Sequence, residues 1–217
     1  MQTEIILVRH GETEANNHGV LHGRTDLPLT ERGRLQAALV AERLASVPGV
    51  SALLTSPLQR ALATAETIGR RLGLRPTVDH ELRELDFGDF EGWTFQDIRE
   101  RHPELFARLV DVHDLDAGFP NGETRRQFHS RVRRAFETLR QRYAASRVIV
   151  VAHNGVIASG LAQLLSGDPN KWDQFMVANC SITHLVFDDS GAVTLRCWND
   201  VAHLGQVGEA TRWKSSS

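Results

Sequence analysis

The feature of this chain that most constrains its fold is an alternation of short apolar runs with longer segments of helical periodicity. Residues 4–8 (EIILV), 51–56 (SALLTS) and 147–153 (RVIVVAH) are such runs, and residues 75–79 predict a further short strand. Compact runs of this kind are typical of buried strands. Strands that alternate with helices favour an α/β fold, a three-layer α/β/α sandwich around a doubly wound, mostly parallel sheet.

Helical spacing of apolar residues connects these strands. The segment 30–46 has apolar residues at helical spacing, Leu35, Leu39, Val40 and Leu44, behind Thr30, a suitable N-cap. A second helix is predicted to start at Ser56 as N-cap, with Gln59 completing a capping box, and to end at Gly73. Two more helices are predicted at 124–143 and 155–167.

Residues 80–123 interrupt this pattern. Glycines, aromatic residues and acids are mixed there, and helical spacing returns only at 94–101 and 103–110. Such a stretch indicates loops and small helices above a site. We therefore expect a single domain over residues 1–217, with an insertion at about 80–123 that covers the active site.

The C-terminal part of the chain predicts a β-hairpin. Residues 181–187 and 192–198 flank the turn sequence DDSG, and the hairpin should add at least one antiparallel edge strand. The exposed edge of this hairpin is a candidate interface for a homodimer. The tail after about residue 204 is polar and is expected to fray.

The charge balance limits the classes of partner. The chain has 25 basic and 27 acidic residues, a formal net charge of −2, so no overall field draws it to nucleic acid or to a membrane. No run approaches the length of a membrane span, and the N-terminus lacks the pattern of a signal peptide. Cys180 and Cys197 show no metal-binding spacing, so we expect reduced thiols in a cytoplasmic protein.

Three predicted strands end in residues that suit phosphate chemistry. The first ends at Arg9-His10-Gly11, the second runs into a helix with Arg60 near its start, and the long one ends at His153. Ligands bind at the carboxyl ends of parallel strands, so these side chains should meet although they are far apart in sequence. Two guanidinium groups and two imidazoles around one small volume fit a phosphoryl group.

This set could transfer a phosphoryl group without a metal or a cofactor. His10 could attack phosphorus through one ring nitrogen while a backbone carbonyl holds the proton on the other. Gly11 would let the backbone pass close to the ligand. The arginines would stabilise the charge of the transition state, and His153 could donate to one phosphoryl oxygen. Glu84 is the best carboxyl candidate for protonating the leaving alkoxide.

The segments around these residues resemble the histidine phosphatase superfamily, in its phosphoglycerate-mutase-like branch. LVRHGETEANN is similar to the N-terminal signature of that family. The later blocks follow in order as GRTDLPLTERGRLQA, TSPLQRALATAE, ELRELDFGDFEGWT, PNGET and VVAHNGVI. The resemblance covers about residues 4–204 and implies a phosphoglycerate-mutase-like fold.

The resemblance also implies a role for each matching residue. His10 would become a transient phosphohistidine, and Glu84 would act first as proton donor and then as base for the incoming water. The residues implied to hold the phosphoryl group are Arg9, Arg60, His153 and Asn16.

Further candidates for substrate binding lie beside these residues. Gly23, Arg24 and Thr25 in HGRTD are expected at the pocket rim. Asn154 follows the second histidine, where the family often has glycine or another small residue and acid phosphatases of the wider superfamily often have aspartate as proton donor. Asn154 cannot donate a proton in that way, which leaves Glu84 as the candidate.

Several of these residues also have a plainer interpretation. Asn16 could simply cap a turn. His18 and His22 are four residues apart and could suggest a metal site, but no carboxylate or thiol completes the set. The aromatic residues that could form either a substrate wall or ordinary packing are Phe87, Phe90, Trp93 and Phe119.

The segment after Glu84 favours one reaction over another. It is short and acidic, with no paired arginine close behind Glu84, whereas a mutase of this family needs extra basic residues there. We therefore expect hydrolysis of a small phosphomonoester. The alternatives are a cofactor-dependent phosphoglycerate mutase and a catalytically silent member that binds phosphate or docks to a protein.

Overall fold

The computed structural model describes residues 2–208 of the 217-residue chain. One six-stranded sheet forms its centre, with the strand order β3-β2-β4-β1-β5-β6. The first four strands in this order run parallel, and β5 runs antiparallel to both of its neighbours. The strands are β1 (Thr3–Arg9), β2 (Val50–Thr55), β3 (Thr77–Val78), β4 (Arg147–Ala152), β5 (Ile182–Phe187) and β6 (Val193–Asp200).

Helices connect the strands and cover both faces of the sheet. The α-helices are α1 (Glu14–His18), α2 (Glu31–Ala45), α3 (Gln59–Leu72), α4 (Phe95–Arg101), α5 (Pro103–Val110), α6 (Arg125–Arg142) and α7 (Asn154–Ser166). Short 3₁₀ segments occur at His80–Leu82, Gly88–Phe90, Pro169–Phe175 and Ala202–Gly208, the last with a kink at Gly205.

Alternate side chains of β1 enter two separate hydrophobic cores. Ile5 and Leu7 pack into a core with residues of α6 and α7, whereas Ile6 and Val8 pack into a second core with residues of α2 and α3. A strand whose two faces are both buried must lie in the middle layer of three. The predicted α/β/α sandwich with a mostly parallel sheet is confirmed.

The parallel register aligns the strand ends that the sequence singled out. Arg9 of β1 pairs with Ala152 of β4, and Thr55 of β2 pairs with Val151. The residues that follow these strands therefore leave the sheet at the same edge, as expected for the ligand-binding edge of a doubly wound sheet.

One predicted helix start is wrong. Thr30 caps α2 through a bond from the N–H of Gly33, as expected, and Gly73 ends α3 in the left-handed conformation. However, α3 begins at Gln59 with Leu58 as N-cap. The hydroxyl of Ser56 does not close a capping box, because it lies against His153.

The prediction of a frayed tail is wrong for its first part. Leu204 is 2% exposed within the second core, and the Arg32 guanidinium donates to the carbonyl of Val207 at 2.6 and 2.9 Å. These contacts fix the backbone of residues 202–208 against α2. The remainder of the predicted tail, residues 209–217, lies outside the described residues.

Aromatic residues of the 80–123 segment pack mainly on one another. The Phe87 and Phe119 rings lie 5.0 Å apart, and the Phe90 and Trp93 rings 5.1 Å apart, against the core formed with α6 and α7. This favours packing over a substrate wall for the buried Phe90 and Phe119.

Within residues 2–208, no helix combines the length and apolar character that a bilayer crossing requires.

Candidate active site

His10 directly follows β1 and is 3% exposed. Its Nδ1 lies 2.7 Å from the carbonyl oxygen of Gly11. A carbonyl oxygen only accepts, so Nδ1 carries the proton. The Nε–H of Arg60 donates to the other ring nitrogen, Nε2, at 3.3 Å. Two independent contacts therefore leave the lone pair on Nε2, the tautomer that attack through Nε2 requires.

Arg60, in the first turn of α3, is fully buried. Its terminal nitrogens donate to three carbonyls of a nearby loop, those of His22 (3.2 Å), Gly23 (2.9 Å) and Thr25 (2.9 Å). The guanidinium fork thus contacts the loop and the Nε2 atom of His10 at once, which a lysine could not do.

His153 follows β4 and is fully buried beside His10, with the ring centroids 5.1 Å apart. Its Nε2 lies 2.8 Å from the hydroxyl oxygen of Ser56, and that oxygen accepts the N–H of Leu58 at 3.3 Å. The Ser56 hydroxyl can donate to Nε2 or accept from it, so this contact is compatible with a proton on either Nε2 or Nδ1 of His153. This Nδ1 is buried without a partner among the described residues.

Arg9 completes the group that we call the cationic cup, formed by Arg9, His10, Arg60 and His153. One terminal nitrogen of Arg9 donates to the carbonyl of Val177 at 2.6 Å, and its Nε is buried without a partner among the described residues. Buried donors are nearly always satisfied. Arg9 Nε and His153 Nδ1 are thus two buried nitrogens of the cup that the described residues leave without a partner.

Asn16 lies in α1, next to the cup. Its side-chain oxygen accepts from the N–H and the hydroxyl of Thr13 at 3.0 and 3.1 Å, and from the Nδ2 of the buried Asn179 at 3.3 Å. The oxygen caps α1, in line with the plainer interpretation. These three bonds fix the plane of the amide and use only its oxygen.

Gly11 is required by close backbone packing. A Cβ at Gly11 would overlap the carbonyl oxygen of Gly33 in α2, and a Cβ at Gly33 would overlap the carbonyl oxygen of Glu12. The N–H of Gly11 also donates to the hydroxyl of Thr64 at 3.1 Å. The loop after His10 is therefore seated directly on α2 and α3, which holds the Gly11 carbonyl under the imidazole.

Glu84 is held by backbone donors from two segments. Its Oε2 accepts the N–H of Gly155, at the start of α7, at 2.9 Å, and its Oε1 accepts the N–H of Leu85 at 2.9 Å. One of these donors, Gly155, is only two residues after His153, so the carboxyl group is bound next to the cup. The buried Arg131 of α6 donates to the carbonyls of Glu81, Arg83 and Glu84, so it fixes the backbone that carries this carboxyl group.

Asn154 contacts a neighbouring loop through both ends of its amide. Its oxygen accepts the N–H of Val177 at 2.8 Å, and its nitrogen lies 3.4 Å from the sulfur of Met176. The side chain therefore shapes the segment whose carbonyl holds Arg9.

The rim residues Gly23, Arg24 and Thr25 surround the carboxylate of Glu91. Their N–H groups donate to its two oxygens at 2.9 to 3.1 Å, and the Thr25 hydroxyl adds a bond of 2.5 Å. The side chain of Arg24 lies 3.3 Å from Asp86 and 3.5 Å from Glu123. The rim is thus linked to the 80–123 segment by opposite charges and hydrogen bonds.

His22 lies against the cup and not beside His18. Its ring contacts that of His10 edge-on, with the centroids 6.4 Å apart, and its Nε2 lies 3.1 Å from the Thr13 hydroxyl. Among residues 2–208 no three His, Cys, Asp or Glu side chains form a group that could hold a metal ion.

Burial and positive charge keep the imidazoles of the cup neutral. Burial, then Arg60 and Arg9, lowers the pKa of His10 well below its ordinary value, and burial and Arg60 do the same for the pKa of His153. Burial lowers the pKa of both Arg9 and Arg60 to about 10, so both stay charged at neutral pH. Two cations beside two neutral imidazoles are suited to a dianion.

Several residues that build this site have no clear signal in the sequence. The local pattern assigns Ser56 to a helix cap, and it gives no reason to select Gly33, Arg131 or Asn179. Their contacts cross from one element to another, so no local spacing reveals them. Glu91 lies in the quoted motif ELRELDFGDFEGWT, which is the only signal for it.

Comparison with known proteins places the chain in a family. Residues 5–201 match the family model of the histidine phosphatase superfamily, branch 1. Phosphoglycerate mutase-like protein 4 of Arabidopsis thaliana is 32% identical over 94% of this chain and 88% of its own length. The crystal structure of the α-ribazole phosphatase from Shigella flexneri superposes with a TM-score of 0.82, at 29% identity over 91% of this chain and 96% of that one.

A third relative was solved with a ligand. Phosphoserine phosphatase from Entamoeba histolytica, in complex with 3-phosphoglyceric acid, superposes with a TM-score of 0.81, at 28% identity over 93% of this chain and 99% of that one. Relatives of this chain thus bind small phosphorylated molecules. The extent of these matches shows that the chain is an enzyme of the histidine phosphatase superfamily.

Proposed function

We propose that this enzyme hydrolyses small phosphomonoesters through a phosphohistidine at His10, without a metal ion. The observation that carries this proposal is the tautomer of His10, with Nδ1 held by the Gly11 carbonyl and the lone pair of Nε2 directed at the buried end of Arg60. A nucleophile needs this arrangement before the substrate arrives.

In the first step, the lone pair of His10 Nε2 forms a bond to phosphorus. The bond between phosphorus and the ester oxygen breaks, and its electron pair stays on that oxygen, which takes a proton from Glu84. The guanidinium groups of Arg9 and Arg60 stabilise the charge on the remaining phosphoryl oxygens. Such preorganised donors replace the positive charge that a metal supplies elsewhere.

In the second step, water attacks phosphorus and gives its proton to the Glu84 carboxylate. The bond from phosphorus to Nε2 breaks, and Nε2 regains its lone pair. His153 and Asn16 hold the phosphoryl oxygens through Nδ1–H and the side-chain NH₂ during both steps. The N–H groups of Gly155 and Leu85 keep the Glu84 oxygens in place.

The first test is hydrolysis of 4-nitrophenyl phosphate in the presence of a chelator. We expect full activity for the parent enzyme and none for His10→Ala, with the exposed His113→Ala as a matched control. Acid quench during turnover of a labelled ester should leave an acid-labile, base-stable label on His10. Loss of activity in the chelator, or label on another residue type, would contradict the mechanism.

The same assay separates the alternative functions. Phosphate binding without turnover of any phosphomonoester would favour the catalytically silent member. Isomerisation of 3-phosphoglycerate that needs a bisphosphate and outpaces hydrolysis would favour the mutase.

The role of Glu84 has its own test. Glu84→Gln should slow the hydrolysis of alkyl phosphates, whose leaving groups need a proton, by about 10²- to 10⁴-fold. The first step with 4-nitrophenyl phosphate should be slowed much less, because its leaving group needs no proton. An equal loss on both esters would show that Glu84 does not protonate the leaving group.

A further inference from the structure

The loop at residues 22–25 faces the cationic cup with one side and the 80–123 segment with the other. Its carbonyls at His22, Gly23 and Thr25 accept from Arg60, the residue that touches His10. Its N–H groups point the opposite way. A Cβ at Gly23 would overlap the carbonyl oxygen of Leu85, so the loop packs directly on the backbone beside Glu84. The loop therefore borders the space that a leaving group beyond the cup would occupy.

The N–H groups of Gly23, Arg24 and Thr25 form a ready anion-binding nest, and the protein fills it itself. The Glu91 carboxylate accepts all three, as well as the Thr25 hydroxyl and the N–H of Phe87. Three consecutive N–H groups that converge on one point are the usual backbone device for a carboxylate or a phosphate. A second anionic group on a substrate would have to displace Glu91 to use them.

Two of the guanidinium groups near this loop lie against carboxylates. Arg24 lies between Asp86 and Glu123, and Arg131 makes a two-pronged pair with Glu123 at 2.7 Å for both bonds. Arg83 also acts on the charge of Arg24, and its guanidinium donates to the His80 ring. Arg24 contacts its two carboxylates through charge alone, since its Nε makes no aligned hydrogen bond in the described part of the chain.

We propose that Glu91, Asp86 and Glu123 make this enzyme select phosphomonoesters whose leaving group carries no second anionic group. The proposal rests on hydrolysis at His10 as set out above and concerns the other end of the substrate. The phosphoryl end meets Arg9, Arg60 and His153, whereas beyond it Glu91 takes the N–H groups of residues 23–25, and Asp86 and Glu123 lie 3.3 and 3.5 Å from Arg24. A neutral or cationic alcohol is accepted there, and a carboxylate or a second phosphate is repelled.

The test compares esters that differ only in that charge. Glycerol 3-phosphate and 3-phosphoglycerate have the same length and differ by a hydroxymethyl group in place of a carboxylate. We expect kcat/KM to be higher by about tenfold or more for glycerol 3-phosphate. Phosphoethanolamine and phosphoserine form a second pair, and phosphoethanolamine should be preferred in the same sense.

A conservative variant tests whether the carboxylates near Arg24 cause this preference for esters without a second anionic group. Asp86→Asn retains the Oδ1 that accepts the N–H of Gly88 but removes the charge beside Arg24. It should raise kcat/KM for 3-phosphoglycerate relative to glycerol 3-phosphate by about fivefold, since a surface charge pair is worth up to about 1 kcal/mol. Glu137→Gln, exposed on α6, removes the same charge elsewhere and should leave the ratio unchanged.

A second variant opens the nest. Glu91→Ala frees the N–H groups of residues 23–25 and should shift the ratio in the same direction, provided that its unfolding temperature shows an intact fold. If that variant does not fold, Asp86→Asn alone decides the question.

The outcomes are distinct. Preference of the parent enzyme for 3-phosphoglycerate, or a ratio that Asp86→Asn does not move, would overturn this inference and leave the hydrolase intact. No turnover of any of the four esters, nor of 4-nitrophenyl phosphate, would instead count against the proposed function.

Discussion

The side-chain oxygen of Asn154 accepts the backbone N–H of Val177 at 2.8 Å, and the carbonyl of Val177 in turn accepts from Arg9 at 2.6 Å. The sequence predicts that Asn154 contacts substrate. Both ends of its amide are instead engaged by residues 176–177. We therefore expect any influence of Asn154 on a bound phosphoryl group to pass through the position of Arg9.

Replacing Asn154 tests this connection. Asn154→Ala should loosen the 176–177 segment and let Arg9 move, so we expect KM for 4-nitrophenyl phosphate to rise by about tenfold, the effect of one weakened charge-assisted hydrogen bond. Gln141→Ala, which removes an exposed amide side chain from α6, is a suitable control, and kcat and KM are measured separately. An unchanged KM would show that Val177 holds Arg9 without help from Asn154.

Arg60→Lys is expected to be far from conservative. A lysine provides one charge but cannot donate to His10 and to three loop carbonyls together, so kcat/KM should fall by about 10²- to 10³-fold. Urea unfolding should also show a loss of about 1–3 kcal/mol, because buried carbonyls lose their donors. Arg70→Lys, exposed on the same helix, is the control. Near-normal activity would mean that charge alone suffices at this position.

The contact between Gly11 and Gly33 predicts a steric effect. Gly11→Ala forces a methyl group into the backbone of α2, so we expect a loss of about 1–3 kcal/mol in the free energy of unfolding and a marked loss of kcat. Gly19→Ala is an informative comparison. Gly19 has a φ of 63° with open space around its Cβ position, so that variant should lose about 1–2 kcal/mol through strain alone and keep its activity. Equal kcat in the two variants would argue against close seating of the His10 loop.

Acid should destabilise the enzyme through its buried histidines. Burial lowers the pKa of His22 and of His129 to about 4, with Arg60 and Arg125 as the next causes. Above pH 6.5 these rings are neutral in both folded and unfolded chains and contribute nothing to the pH dependence. Between pH 6.5 and 4 only the unfolded chain takes up the protons, so stability falls as the pH falls, by about 1.4 kcal/mol per pH unit for each ring.

Urea unfolding at several pH values between 6.5 and 4 measures how the free energy of unfolding falls with pH. His129→Gln should remove about one ring's share, 1.4 kcal/mol per pH unit, with the exposed His113→Gln as the comparison. Identical slopes in both variants would show that His129 is protonated in the folded enzyme.

The fold was predictable because local pattern and tertiary environment agree along most of the chain. The β-branched runs became central strands, and the apolar spacing of 30–46 became a helix that buries Val40 and Leu44. The predicted start of α3 was wrong because Ser56, the best N-cap by sequence, instead contacts His153, which lies 97 residues away in the chain. The prediction that the tail frays was wrong for its described part. The buried side chain of Leu204 and the guanidinium of Arg32 in α2 hold it in place despite its polar composition.

The site was predictable only in part, for a related reason. His10 and His153 stand at the ends of apolar runs, so topology alone indicates that they meet. The residues that orient them act across the structure and carry no periodic signal. Arg131 lies in an ordinary amphipathic helix, and only its three-dimensional position shows that it fixes the backbone of Glu84.

The position of β1 has a consequence for the behaviour of the enzyme in solution. This strand is paired on both sides, by β4 and β5, its residues 5–8 are at most 2% exposed, and the N–H of His10 itself bonds to Ala152. Amide protons along it should exchange with deuterated solvent only when the whole molecule opens. His10, the proposed nucleophile, thus directly follows the strand that we expect to open last, so partial opening at the periphery should leave its amide protected.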